Sequence, residues 1–159
     1  MTIQQFKEEI FKCCGSRTWV EKLSEKYPFP SVEELKNESD KIWFSLSEKD
    51  WLEAFTQHPK IGDMKSLEKK FASTKQWAEN EQSAVNIATQ TVLQELKDGN
   101  DAYEKKFGYI FIICATGKSA EEMLSILKSR LKNSPQEEIK IAVHEQNKIT
   151  HLRIDKLFS

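Results

Sequence analysis

Apolar residues recur every three or four positions over most of this chain, which is the spacing of one face of an α-helix. Many of these segments begin with Ser, Thr or Asp, followed three residues later by an acid or Gln. That pattern satisfies the free N–H groups of a first helical turn. The starts are Thr2/Gln5, Ser31/Glu34, Ser47/Asp50, Asp101/Glu104, Ser119/Glu122 and Ser134/Glu137. The pattern predicts one all-α domain, residues 1–159, of roughly seven to nine helices.

The longest predicted helix begins at about Trp77 and ends at about Lys97. We expect the sequence Asp98-Gly99-Asn100 to stop it, because glycine and asparagine are typical of helix ends. A short helical turn from Asp101 would follow. The last helix is predicted from Pro135 to about Leu157.

One stretch departs from the helical pattern. Residues 109–115 form the most apolar run, between Gly108 and Gly117, and have the length and β-branched content of a short buried strand. The sequence contains no second run with which it could pair, although its backbone N–H and C=O groups need partners if it is buried. Either a ligand lies along the extended segment or the segment is a plain buried connector.

Composition narrows the classes of function. Lys and Arg number 24 against 25 Asp and Glu, which gives a net charge of -1. The sequence also contains no basic tail or patch of the kind that binds nucleic acid. No apolar stretch approaches a membrane span, and the polar start of the chain is unlike a signal peptide. Three cysteines, two of them adjacent, form no disulfide framework. We therefore expect a cytoplasmic protein that binds neither nucleic acid nor membrane.

Two charged residues fall on faces that are predicted to be buried. Glu81 extends an apolar stripe of the long helix by one turn, whereas Glu79 falls on the opposite side. In the last helix, Arg153 lies four residues after Ile149 and four before Leu157, within the predicted apolar face. A buried carboxylate or guanidinium needs a partner of opposite charge or an ionic ligand.

Structural and functional interpretations of these residues both stay open. Glu81 and Arg153 can pair with each other or with other helices and stabilise the bundle, or they can belong to a catalytic site. His58 lies in a predicted loop, where it can transfer protons or cap a helix C-terminus. His144 and His151 fall on the polar side of the last helix and are expected to be solvated. The histidines do not have metal-ligand spacing, and no phosphate loop or nucleophilic serine motif is present.

Several motifs, taken in order, resemble one family. They are His58-Pro59-Lys60-Ile61-Gly62, Trp77 through Glu81-Gln82, Phe107-Gly108 with Phe111-Ile112-Ile113-Cys114-Ala115, Arg130-Leu131-Lys132-Asn133, and Lys148-Ile149 through Leu152-Arg153-Ile154. In this order and spacing the chain is similar, over nearly its whole length, to the 2-oxo-4-hydroxy-4-carboxy-5-ureidoimidazoline (OHCU) decarboxylases of urate breakdown.

The resemblance implies an all-helical homodimer that converts OHCU to (S)-allantoin and CO2 without a cofactor or metal. It implies that His58 is the proton donor, and Glu81 is a second candidate for the same chemistry. The implied substrate-binding residues are Pro59, Ala78, Glu79, Asn80, Glu81, Gln82, Phe111, Ile112, Ile113, Cys114, Ala115 and Arg153.

Two positions depart from the family pattern. The family often has Arg where Lys60 stands, and Ser where Ala78 stands, so a planar guanidinium and a hydroxyl are missing here. An enzyme that acts on a related ureide is therefore one alternative. A non-catalytic helical module that binds a partner in an apolar groove is another, which inward-facing Glu81 and Arg153 would disfavour.

Overall fold

The computed structural model describes residues 1–58 and 82–158 of the 159-residue chain, and for residues 82–89 it describes the backbone alone. The described residues form seven α-helices and no strand, which confirms the all-α prediction. No helix among them is long and apolar enough to cross a membrane. The helices are α1 (Ile3–Cys13), α2 (Arg17–Ser24), α3 (Val32–Ser45), α4 (Glu48–Thr56), α5 (Gln82–Phe107), α6 (Ala120–Arg130) and α7 (Pro135–Leu157).

Helix starts lie where the capping pattern predicts them, except at Asp101, which lies inside a longer helix. At the start of α1, Thr2 Oγ1 accepts the N–H of Gln5, and the Gln5 side chain accepts the N–H of Thr2. At the start of α7, Ser134 Oγ accepts the N–H of Glu137 at 3.2 Å. These bonds satisfy groups that the helix cannot satisfy itself, so the local sequence is sufficient to fix where these helices begin.

The chain divides into two compact units. Unit 1 comprises Met1–His58, Ile112–Cys114 and Ile139–Ser159, and unit 2 comprises Pro59–Phe111 and Ala115–Glu138. That the whole chain is a single domain stays a prediction.

Two fully buried tryptophans organise unit 1. Trp19 Nε1 donates to Ser39 Oγ at 3.1 Å, and Trp43 Nε1 donates to the carbonyl of Val143 at 2.9 Å. Each indole therefore buries its large apolar surface without losing a hydrogen bond. The bonds join α2 to α3, and α3 to the part of α7 that belongs to unit 1.

Helix α5 is longer than the sequence predicts. The prediction that Asp98-Gly99-Asn100 ends it is wrong, since the helix continues to Phe107, and the predicted turn from Asp101 is its last part. Gly99 instead allows close packing, because a Cβ atom there would lie 2.6 Å from Cδ2 of Leu127 on α6 and would force that side chain to shift. The helix ends at Gly108, whose φ of +84° is unfavourable for other residues. The predicted start at Trp77 lies outside the described residues.

A buried polar cluster lies within unit 2. The Nε and Nη2 atoms of Arg130 donate to Glu138 Oε2 at 2.8 and 2.5 Å, and Tyr103 OH donates to the same oxygen. Asn133 Nδ2 donates to the other oxygen, Oε1, at 3.1 Å. Burial and the Glu138 carboxylate raise the pKa of Tyr103, so its phenol stays protonated. The motif Arg130-Leu131-Lys132-Asn133 thus has a structural function, which is to hold Glu138 in the interior.

The close packing at Gly99 predicts how a side chain at this position would change the free energy of unfolding. Gly→Ala in an exposed helix interior stabilises by about 1 kcal/mol, but overpacking a core costs about 1–3 kcal/mol. We expect Gly99→Ala to lower the free energy of unfolding, measured by urea denaturation. In a Leu127→Ala background the clash is removed, and the same substitution should stabilise. A stabilising effect in the wild-type background would contradict this account of Gly99.

Candidate active site

His58 lies immediately after α4 and belongs to unit 1. Its N–H donates to the carbonyl of Phe55 at 3.2 Å, which continues the turn that ends the helix. The imidazole is half-buried, and its Nε2 is hydrogen-bonded to Oε1 of Gln146 on α7. The His58 side chain therefore bonds to a residue that is distant in sequence, Gln146, and does not act only as a cap of α4.

Gln146 is fully buried and is itself held by a second polar residue. Its Nε2 donates to Thr150 Oγ1 at 3.1 Å. The Thr150 hydroxyl is 3.0 Å from the carbonyl of Gln146 and 3.4 Å from the carbonyl of Cys13 on α1. This chain of hydrogen bonds connects His58 to the backbone of two helices and restricts the orientation of its ring.

The surroundings of His58 favour its neutral form. Burial lowers the pKa of the imidazole, and the positive charge of Arg153 lowers it further, while the hydrogen bond to Gln146 acts in the opposite direction. The pKa therefore lies below its ordinary value of about 6.5, and the neutral imidazole predominates at neutral pH.

Arg153 was predicted to lie within the buried apolar face of α7. This prediction is wrong, because its side chain is half-exposed. The buried residues of α7 are instead Glu138, Ala142, Val143, Gln146, Thr150 and Ile154. Within the part of the chain that the structure describes, the Arg153 guanidinium donates through Nη1 to the carbonyl of Lys12 at 3.2 Å and has no carboxylate partner. The predicted face was displaced because Gln146 and Thr150 are buried through their hydrogen bonds, which hydropathy does not register.

The other two histidines of α7 lie apart from this arrangement. His144 is exposed, as predicted, and its ring packs against Phe44 with centroids 4.9 Å apart. His151 is not simply solvated, because it is half-buried and its Nε2 lies 2.6 Å from Asp40 Oδ1. The geometry gives neither residue a place beside His58.

The adjacent thiols near Arg153 are not nucleophiles. Burial raises the pKa of Cys13 to about 11 and that of Cys14 to about 12, and the positive charge of Arg153 opposes this only in part. Both thiols stay protonated at neutral pH, and a protonated thiol is a poor nucleophile. Cys114 is buried, as predicted for a small core residue.

The apolar segment is neither helix nor strand, in agreement with the prediction of an unpaired segment. Ile112 and Cys114 are buried. The N–H of Cys114 donates to Glu145 Oε1 at 3.1 Å, and Lys148 Nζ lies 2.6 Å from the other carboxylate oxygen. One backbone group of the segment is thus satisfied by a side chain of α7 rather than by a ligand. Glu145 and Gln146 are neighbours, so α7 holds both this segment and His58.

The remaining predicted site residues divide between two groups. Pro59, Ala78, Glu79, Asn80 and Glu81 lie outside the described residues, so the inward orientation of Glu81 and the outward orientation of Glu79 stay predictions. Gln82, Phe111 and Ala115 belong to unit 2. The ring of Phe111 packs beneath Arg130, 4.5 Å from the guanidinium carbon, so its side chain has a structural function.

Sequence reasoning missed Glu145 and Gln146. A signal for Gln146 was nevertheless present, because position 146 interrupts the predicted stripe of α7 between Val143 and Ile149. A polar amide at a position that helical spacing assigns to the core must be hydrogen-bonded there. No such signal distinguishes Glu145 from the other acids of α7.

Comparison with known proteins gives consistent matches. The family model described as OHCU decarboxylase matches residues 1–155. The chain is 41% identical over its full length to the uric acid degradation bifunctional protein TTL of Arabidopsis thaliana, of which it spans 49%. It is 30% identical to the 2-oxo-4-hydroxy-4-carboxy-5-ureidoimidazoline decarboxylase of Xenopus laevis, over 82% of this chain and 74% of that one.

A solved structure gives the same result in three dimensions. A crystal structure of OHCU decarboxylase in the presence of (S)-allantoin superposes with a TM-score of 0.76 at 39% sequence identity. The match covers 95% of this chain and 97% of the other.

The electrostatics of the site predict how His58 titrates. We expect its pKa, measured by NMR, to lie below 6.5, and Arg153→Gln to raise it because a nearby positive charge is removed. Arg17→Gln is the matched control, since it removes the same charge from a residue that makes no contribution to this shift. Equal effects of the two substitutions would contradict the assigned cause.

Proposed function

The chain belongs to the OHCU decarboxylase family, and from this premise we propose that it converts OHCU to (S)-allantoin and CO2. The observation that carries the proposal is the match to a solved OHCU decarboxylase over nearly the whole of both chains. The chain spans about half the length of the Arabidopsis bifunctional protein, so the proposal concerns the decarboxylation step alone.

The reaction needs an electron sink and a proton donor. When the bond between the ring carbon and the carboxylate breaks, the electron pair left on carbon is delocalised into the adjoining imine of the ring. The former imine carbon, which bears the ureido group, must then take a proton on one face to give a single enantiomer, while the hydroxyl on the carbon that lost CO2 becomes a carbonyl. A side chain held in one orientation is suited to this task, and His58 is such a group because Gln146 holds its ring.

We propose that His58 is the proton donor and that Glu81 takes part in the proton transfer. Arg153 is proposed to bind an anionic or carbonyl oxygen of the substrate, since its guanidinium is half-exposed and its described partner is a single carbonyl. The proposed substrate-binding set also includes Pro59, Ala78, Glu79, Asn80, Gln82 and the backbone of residues 111–115. Of that backbone, the N–H of Cys114 already has a partner in Glu145.

Substrate binding would change the protonation of His58. In the free protein, burial and Arg153 keep the pKa of the imidazole low. The carboxylate of OHCU would offset the charge of Arg153 and favour the imidazolium, because an opposite charge nearby stabilises a cation. The substrate would thereby bring His58 to the charge state in which it can donate a proton.

We also propose that the protein is a cytoplasmic homodimer, as the family resemblance implies. Phe44 and Ile141 in unit 1 are large apolar side chains that are 42% and 37% exposed, and burying their apolar surface against a second copy would be favourable.

The proposal predicts the stereochemical course of the reaction. With freshly generated OHCU, the protein should produce one enantiomer of allantoin, followed by circular dichroism. His58→Ala should lower kcat by about 10²–10⁴-fold, which is the contribution of a positioned acid. Because OHCU also decays on its own, chirality rather than product yield is the measured quantity.

The matched control is His144→Ala, which removes an exposed imidazole from α7. Far-ultraviolet circular dichroism should show native helix content in both variants. Racemic product from wild-type protein at the spontaneous rate would overturn the proposed activity. Near-normal turnover by His58→Ala would leave the activity intact and remove His58 from the mechanism.

A further inference from the structure

We infer that Gln146 is a positioning residue that keeps the proton of neutral His58 on Nε2 and leaves Nδ1 as the atom that exchanges a proton with the substrate. The inference rests on the proposed function for the identity of the reaction. The arrangement of the hydrogen bonds is independent of it.

The orientation of the Gln146 amide follows from the Thr150 hydroxyl. That hydroxyl has one hydrogen and lies within 3.4 Å of two carbonyl oxygens, those of Gln146 and Cys13. Carbonyls only accept, and the Cys14 thiol that also contacts this hydroxyl is a weak donor and acceptor, so the hydrogen of Thr150 is directed at a carbonyl and its oxygen is left to accept. Gln146 Nε2, 3.1 Å away, is then the donor to Thr150.

This orientation determines the tautomer of His58. With Nε2 of Gln146 turned to Thr150, its Oε1 faces the imidazole and can only accept. Nε2 of His58 must therefore carry a hydrogen. Rotating the amide by 180° would place a third acceptor, Oε1, around the single hydrogen of Thr150, so two of the three acceptors would receive no hydrogen bond from that hydroxyl. Gln146 is 0% exposed, so water cannot compensate for that loss.

The position of the proton follows from the tautomer. Neutral His58 has its lone pair on Nδ1, and among the residues that the structure describes this atom has no hydrogen-bond partner. When His58 is protonated, the second proton is on Nδ1. After CO2 leaves, Nδ1–H gives that proton to the former imine carbon, the neighbouring C–OH becomes a carbonyl, and the hydroxyl proton passes to the ring nitrogen of the former imine. His58 returns to its neutral Nε2–H form, and a proton from water restores the imidazolium.

The inference is tested first by NMR on protein labelled with ¹⁵N-histidine, at a pH above the titration of His58. Wild-type Nε2 should have the chemical shift of a protonated nitrogen and Nδ1 that of a bare nitrogen. The hydrogen on Nε2 should exchange slowly with water. A bare Nε2 in the wild-type protein would overturn the inference.

Substitution then tests the cause. Gln146→Met removes the acceptor at similar side-chain length, so the ¹⁵N shifts of the two ring nitrogens should converge and the slow exchange should be lost. Thr150→Val should have a smaller effect in the same direction, because it frees the amide to rotate, and it serves if Gln146→Met does not fold. Gln136→Met, at an exposed position near the start of α7, is the control and should change neither property. Unchanged tautomers in both Gln146→Met and Thr150→Val would contradict the inference.

Kinetics separate this inference from the proposed function. If the protein is active, Gln146→Met should lower kcat by roughly 10²-fold with little change in KM, since the proton rather than substrate binding is affected. An inactive wild-type protein with His58 in the Nε2–H form would refute the proposed reaction and leave the tautomer assignment standing. An active protein in which Gln146→Met turns over normally would refute the role of Gln146 alone.

Discussion

Polar groups buried along one row of α7 impose a constraint on the rest of the structure, because each that lacked a partner would cost about 1–3 kcal/mol. Glu138, Ala142, Gln146, Thr150 and Ile154 follow one another at intervals of four, and all five are buried. Three of them are polar. Glu138 receives Arg130, Tyr103 and Asn133 within unit 2, while Gln146 and Thr150 bond His58 and the backbone of α1 within unit 1. The requirement to satisfy these groups decides what packs against the helix.

The same constraint gives His58 its chemical character. A histidine in an exposed loop would rotate freely and titrate near 6.5, whereas here one nitrogen is held by a fully buried amide and the charge of Arg153 disfavours the imidazolium. An orientated, neutral imidazole close to a half-exposed guanidinium is suited to an anionic substrate, whose charge would draw a proton to the ring. Helix α7 also holds the apolar segment, because the Glu145 carboxylate accepts the N–H of Cys114. Structural support and proposed chemistry thus come from neighbouring positions of one helix.

Most predictions that depend on local chemistry succeeded, although the capping pattern at Asp101 lies inside α5. The starts of α1, α4 and α7 are specified by residues within three positions of the helix end, and sequence alone located them. Predictions that depend on tertiary contacts failed: Gly99 was interpreted as a helix end because its neighbour Leu127 could not be known. The buried face of α7 was displaced for the same reason, since Gln146 and Thr150 have polar side chains whose partners are distant in sequence. His58 was found from its loop position and from the family resemblance, and neither could show which residue holds it.

In the proposed mechanism, His58 donates a proton to the product and gains that proton through substrate binding. The most direct measurement is the pH dependence of kcat and of kcat/KM for (S)-allantoin formation, which report the pKa of the acid in the substrate complex and in the free protein respectively. Because the acid must be protonated, both parameters should fall as pH rises through its pKa. We expect kcat/KM to fall around a pH below 6.5 and kcat to fall at a higher pH. Profiles that fall together, or rates that increase with pH through this range, would contradict the proposed mechanism.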